Sequence, residues 1–210
     1  VAGHSISPVS AGGVLVGLRG NSGSGKTTVA RAVQQRFARA SCLVVAQDVV
    51  RRTMLRETDA PGAVNIDLIE HVAAFGLARG LIVIVEGILD ADRYGEMLER
   101  LSVSAGSAMF YSFDLSFAET VRRHASRPQA QEFSPTQMGQ WYHSWQPLTF
   151  VDEVRIDASW QLETVVDQIV GDICAAGLFD QQAARCQGAT GGTSPPASAT
   201  PRRVTVTEAE

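Results

Sequence analysis

The sequence predicts an α/β chain: a doubly wound, five-stranded parallel sheet with helices on both faces. Three observations carry this. Short apolar runs recur along the chain, helical spacing follows most of them, and the most apolar run, residues 81–85 (LIVIV), shows no polar alternation. A strand covered on both faces by helices has that continuous character, whereas a strand with one wet face alternates.

Residues 14–19 (VLVGLR) supply the first strand, and a glycine-rich turn leads into residues 27–38, where Val29, Ala32, Val33 and Phe37 recur at helical spacing. Residues 42–46 are the second strand; Arg51, Arg52 and Arg56 beyond Asp48 suggest a helix with one wet face. Pro61-Gly62 breaks the chain, Asn65 is placed to cap a helix bearing Ile66, Ile69, Val72, Ala73 and Phe75, and Gly80 to end it. After the LIVIV strand come a fourth strand at 109–113, a helix at 117–125, a short fifth strand at 154–156 and an amphipathic helix at 161–176. Strands alternating with helices connect in the right-handed sense that makes the sheet parallel.

The 210 residues amount to one domain with some surplus, at roughly 150 residues per domain. That domain is assigned to residues 13–180, with a flexible N-terminus at 1–12 and a disordered Gly-, Ser-, Thr- and Pro-rich tail at 187–210. A hydrophobic content of 45% supports a core and excludes a wholly disordered chain. The net charge of −4 does not favour a phosphate polymer as partner. Cys42, Cys174 and Cys186 show neither a CxxC nor a Cys/His ligand spacing, so no zinc site or disulfide framework is indicated. No stretch approaches the roughly 18 apolar residues that cross a bilayer, and the N-terminus lacks a basic segment followed by an apolar run. The expected location is cytoplasmic, with no membrane partner.

Of the 18 basic residues only Lys26 is a lysine, and it stands inside a motif. Gly20-Asn21-Ser22-Gly23-Ser24-Gly25-Lys26-Thr27 matches G-x-x-x-x-G-K-[ST], with a strand before it and a helix after it as a phosphate-binding loop requires. Glycines 20, 23 and 25 let backbone amides surround phosphates at the positive end of the following helix. In that chemistry Lys26 bridges the β- and γ-phosphates and the Thr27 hydroxyl takes one position on Mg²⁺, with Thr28 completing the ATP-binding set. A planar guanidinium does not fill the lysine's place. With no second lysine, the Asn-Lys-x-Asp guanine signature is absent, which disfavours small GTPases and leaves ATP with Mg²⁺ as the expected ligands.

Other residues suggest what the loop serves. Asp48 ends the second strand at the edge where ligands bind in such sheets, and Arg51 lies one helical turn on. Asp48 either orients an attacking hydroxyl as a general base or simply caps the next helix. Arg123 and Arg127 share a helical face beside Arg122, either as a lid over ATP at about residues 122–140 or as a solvated basic face. Glu86 ends the LIVIV strand, where it serves the metal, positions an acceptor or is structural, and Gly87 suggests a close approach by backbone or ligand. Trp141 and Trp145 are read as one helical face near Tyr142, for packing or for stacking on an acceptor. Asp157 and Ser159 follow the fifth strand, and His71, His124 and His143 lack a metal-like spacing.

The set Gly20–Thr28 (GNSGSGKTT), Gln47-Asp48-Val49-Val50-Arg51, and Phe113-Asp114 through Arg127 (FDLSFAETVRRHASR) resembles the P-loop kinases that include polynucleotide 5′-hydroxyl kinase domains, zeta toxins and chloramphenicol phosphotransferase. The resemblance covers roughly residues 13–175. It implies Asp48 as the acceptor base, Arg51 as an acceptor contact, Arg123 and Arg127 as lid residues on the ATP phosphates, Glu86 as an acid near the metal or its water that acts through Mg²⁺ or positions the acceptor, and adenine near Asp157 and Ser159. The expected activity is transfer of the γ-phosphate of Mg-ATP to a hydroxyl of a small molecule such as a nucleoside, sugar or antibiotic. A polynucleotide 5′-hydroxyl acceptor is disfavoured by the net charge, and a nucleotide-sensing module that transfers nothing is the reading from another class.

Overall fold

The structure, a computed structural model, describes residues 12–125 and 134–177. The predicted N-terminal segment before Gly12, the predicted tail at 187–210, Cys186, Arg127 and the middle of the predicted lid lie outside the described residues. The strands are β1 (Val14–Gly20), β2 (Cys42–Ala46), β3 (Ile82–Gly87), β4 (Ser107–Phe113) and β5 (Val154–Ile156). They form the single five-stranded parallel sheet expected from the sequence, and its strand order is β2-β3-β1-β4-β5. The helices are α1 (Lys26–Gln35), α2 (Val64–Ala78), α3 (Ala91–Ser104), α4 (Phe117–Ala125), α5 (Pro135–Trp141) and α6 (Leu162–Ala175).

The two-residue period of a strand explains why the central runs are apolar throughout. Val14, Val16 and Leu18 of β1 and Ile82 and Ile84 of β3 enter a core with Val29 and Val33 of α1 and Ile169 and Ile173 of α6. Leu15, Val83 and Val85 point the other way, into a second core with Ile69 and Leu77 of α2 and Met97 and Leu98 of α3. Full burial of each such side chain contributes about 1.5–3 kcal/mol. β1 therefore lies between two filled layers, and the loop leaving its C-terminal end starts from the buried centre of the sheet.

Several local expectations change. α3 fills the interval between β3 and β4 for which the sequence reading names no element; its Asp90 N-cap accepts from the Asp92 amide at 3.1 Å. Asn65 does not cap α2: it lies within the first turn, fully buried, and Ala63 is the N-cap. The Glu57 carboxylate caps instead, accepting from the Val64 and Asn65 amides at 2.8 and 2.9 Å. α5 opens with a Ser134–Gln137 capping box and stops at Trp141, so Trp145 stands outside it and the two tryptophans share no helical face. After Asp48 the chain makes a π-helical segment, Val49–Met54, closed by the Leu55 amide on the Val50 carbonyl at 3.0 Å. Such wide turns are rare and recur at functional sites.

Candidate active site

The phosphate loop is a bend between the buried end of β1 and the first turn of α1. Gly20, Gly23 and Gly25 all have positive φ, at 139°, 83° and 108°. A Cβ on Gly23 would stand 2.7 Å from the Thr120 carbonyl of α4, so both its backbone angle and its space require glycine. Lys26 is buried, its Nζ donating to the Asn21 carbonyl at 2.8 Å and to Ser24 Oγ at 3.2 Å. These oxygens hold the ammonium inside the bend, at the positive end of α1 where an anion is favoured.

Side chains from distant parts of the chain fix this bend. Asn21 donates to the His143 carbonyl at 2.7 Å and accepts from the His143 amide at 2.9 Å. Arg19, just before the loop, donates to both carboxylate oxygens of Glu153 at 2.7 Å, to the Leu89 carbonyl at 3.0 Å and to the Gln146 carbonyl at 3.1 Å. Both partners of that ion pair are almost wholly buried, at 4% and 1% exposure. Arg123 on α4 donates to the Ser24 carbonyl at 3.2 Å and to Glu119 at 2.6 Å, so it lies against the phosphate loop. Arg122 is exposed and also pairs with Glu119, and hydrogen bonds from the two arginines hold the Glu119 carboxyl down to about 2.

A cleft of about 500 Å³ opens beside the loop. Ser22, Gly23, Gly25, Lys26 and Thr27 line one wall, and Asp48, Arg51 and Glu86 line it as well. The structure thus brings together most of the residues singled out from the sequence. The Thr27 hydroxyl donates to Glu86 Oε1 at 2.9 Å. Burial pushes the Glu86 carboxyl above the usual carboxylate range, opposed by the Lys26 charge and the Thr27 hydrogen bond. Gly87 is approached by the Gln47 side chain: a Cβ there would stand 2.3 Å from Gln47 Oε1, which accepts from the Ile88 amide at 2.9 Å.

Asp48 occupies the N-cap position of the π-helical segment, yet its side chain makes no capping bond. It is 69% exposed, and both Arg51 Nη2 (3.0 Å) and Arg52 Nε (3.1 Å) donate to its Oδ1. Among the described residues nothing bonds to Asp48 Oδ2. Arg51 is mostly buried, and its Nε is enclosed without a hydrogen-bond partner.

Several cleft residues escape the sequence reading. Arg52 is legible in principle, four residues from Asp48 as a helical ion pair prefers. Asp59 and Arg93 pair at 3.1 Å across the cleft floor, and Asp59 also accepts from the Tyr94 hydroxyl at 2.8 Å. Trp141 lines the cleft, with the Arg52 guanidinium 5.9 Å from its ring centroid, while Trp145 stacks on Arg155 instead. His143, assigned no chemistry from the sequence, lines the cleft too. A second cleft on the other side of the loop is lined by Thr28, Arg122, Arg123, Ala158 and Trp160. The flanking Asp157 and Ser159 are bonded to each other and do not line it.

No helix among the described residues is long and apolar enough to cross a membrane. No curated protein matches the chain. Solved structures do. A putative kinase of Chloroflexus aurantiacus superposes with a TM-score of 0.61 at 18% identity, covering 78% of this chain and 97% of its own. The APS kinase of Mycobacterium tuberculosis, solved with AMPPNP and APS, gives 0.60 at 18% identity over 78% and 98%. A gluconokinase of Sinorhizobium meliloti gives 0.54 at 18% identity over 78% and 92%. At these identities the likeness is one of fold. The adenylylsulphate kinase family model matches residues 12–120, from the turn before β1 to the middle of α4 and so through the phosphate loop, Asp48, Arg51 and Glu86. The chain belongs to the adenylylsulphate kinase family of P-loop kinases.

Proposed function

We propose that this chain is a phosphotransferase that moves the γ-phosphate of Mg-ATP to a hydroxyl of a small molecule. One observation carries the reading. Two guanidiniums hold Asp48 through Oδ1 alone, and its unbonded Oδ2 shares a cleft with Lys26 and Thr27 of the phosphate loop. A carboxylate with one oxygen held by two guanidiniums and the other available is suited to receive a hydroxyl proton.

In the proposed step the acceptor oxygen bonds to the γ-phosphorus as its proton passes to Asp48 Oδ2. The bond from that phosphorus to the β,γ-bridging oxygen breaks, and its electron pair leaves with ADP. Lys26 exchanges the Asn21 carbonyl for phosphate oxygens, and the Gly20–Thr28 backbone encloses them. Thr27 and Glu86 are hard oxygen donors already in contact and fit Mg²⁺, which when bound neutralises phosphate charge. Arg123 contacts the loop from α4, and Arg127 joins it in the reading drawn from the family resemblance. Arg51 and Glu86 face the acceptor side of the cleft.

Structural neighbours that include a gluconokinase, a sugar kinase and a tunicamycin resistance protein support a small-molecule acceptor within the P-loop kinases. The test is Asp48→Asn. Phosphate transfer should fall about 10²-fold or more, the range for losing a general base, while AMPPNP affinity by calorimetry stays within about two-fold. Undiminished transfer would remove Asp48 from the reaction.

A further inference from the structure

Helix α5 ends at Trp141, and the chain runs on extended, with Tyr142 at φ −75° and ψ 125°. Successive side chains of an extended backbone point to opposite sides. Tyr142 turns onto the start of α4, its ring 5.3 Å from that of Phe117 and its hydroxyl donating to the Leu115 carbonyl at 3.1 Å. His143 turns the other way and is half-buried, lining the cleft together with Ser22, Gly23 and Lys26 of the phosphate loop.

The loop itself carries this histidine. The Asn21 side chain takes both backbone groups of His143, donating to its carbonyl at 2.7 Å and accepting from its amide at 2.9 Å. The backbone carbonyl of the same asparagine accepts from Lys26 Nζ at 2.8 Å. One loop residue therefore ties the histidine backbone beside the ammonium that serves the β- and γ-phosphates. Neither bond of this clamp uses the imidazole, and among the described residues nothing bonds to that ring. A neutral imidazole carries one N–H in either tautomer and a cationic one carries two, so each form has a donor for a phosphate oxygen. Loop amides enclose the inner phosphates, which leaves the oxygens of the terminal one for a side chain of the open cleft.

Resting on the phosphotransferase reading, we infer that the His143 imidazole donates a hydrogen bond to the γ-phosphate of bound ATP, with Asn21 as the residue that positions it. His143 is then a further catalytic residue, because its bond goes to the group that moves, where charge rearranges during transfer. Since the clamp holds only backbone, the imidazole can be removed without releasing the segment that bears it.

The experiment is calorimetry on the full chain with Mg²⁺, comparing AMPPNP with ADP, which lacks the terminal phosphate. His143→Ala should weaken AMPPNP binding about ten-fold or more, the range for losing a hydrogen bond to a charged group, and ADP binding less than about two-fold. His143→Gln, which keeps a side-chain N–H, should recover most of that loss. Asn21→Ala should show the same selectivity for AMPPNP, and adding His143→Ala to it should cost no more than about two-fold further, because the ring has already lost its support. Unchanged AMPPNP affinity in His143→Ala, or an equal loss of ADP affinity, overturns the inference and leaves the phosphotransferase reading standing. Independent effects of the two substitutions, each multiplying the other, overturn the positioning role of Asn21. If the unaltered chain binds neither nucleotide, the phosphotransferase reading falls as well.

Discussion

The two walls of the cleft are built differently. The phosphate wall is a glycine bend between a central strand and a helix, pinned by the Asn21–His143 bonds and the buried Arg19–Glu153 pair. The acceptor wall begins on the edge strand β2, continues through a π-helical segment and rests on exposed or half-exposed ion pairs. The contrast matches what each wall must recognise. A triphosphate is the same in every reaction of this kind and rewards a preorganised cradle. An acceptor differs from one kinase to the next, and a wall of short-range pairs at a sheet edge can change without disturbing the cores.

If that contrast is right, substitutions on the phosphate side should cost most. Lys26→Ala should lower phosphate transfer about 10³-fold or more, because a charge aimed at the transferring group is lost, and initial-rate kinetics would show it. Arg19→Met should remove about 3–5 kcal/mol of stability by leaving Glu153 buried without its partner, read as a lower urea midpoint at unchanged slope. A loss under about 1 kcal/mol would mean that the pair does not fix the loop.

On the acceptor side the effects are smaller. Arg51→Ala should raise the KM of whichever acceptor is used about ten-fold with kcat less affected, and an unchanged KM would take Arg51 out of the acceptor wall. The smallest effect has the opposite sign. Glu86 is raised by burial, so the stability it contributes is full below its unfolded value of 4.5 and is lost as pH rises through its higher folded value. Without ligands at pH 8, Glu86→Gln should therefore be more stable than the parent, read as a higher melting temperature, and the gain should shrink as pH falls toward 4.5. A melting temperature equal to the parent's at pH 8 would show that the buried carboxylate is already compensated.

The same contrast governs what could be read before the structure. The phosphate loop is eight contiguous residues whose function depends on their order, and Asp48 with Arg51 is a helical-spacing pair; both are written locally. Asp59 with Arg93, Asn21 with His143 and Arg19 with Glu153 are joined across 34, 122 and 134 positions, so only the strand order brings them together. α3 was missed although Tyr94, Met97, Leu98 and Leu101 recur at helical spacing, because Gly95 and five charged residues dilute the pattern. Asn65 misled for a different reason. It has the side chain of a cap, but the cap came from Glu57, eight residues earlier, and the asparagine was drawn inward to Tyr94.

The Arg19–Glu153 pair also constrains how the protein is made. A growing chain emits its phosphate loop first and its acidic counterpart 134 residues later, a delay of about ten seconds at typical translation speeds. Until then the guanidinium beneath the loop must stay hydrated, which keeps the end of β1 from closing. Nucleotide affinity should therefore arise only after the segment carrying Glu153 has left the ribosome.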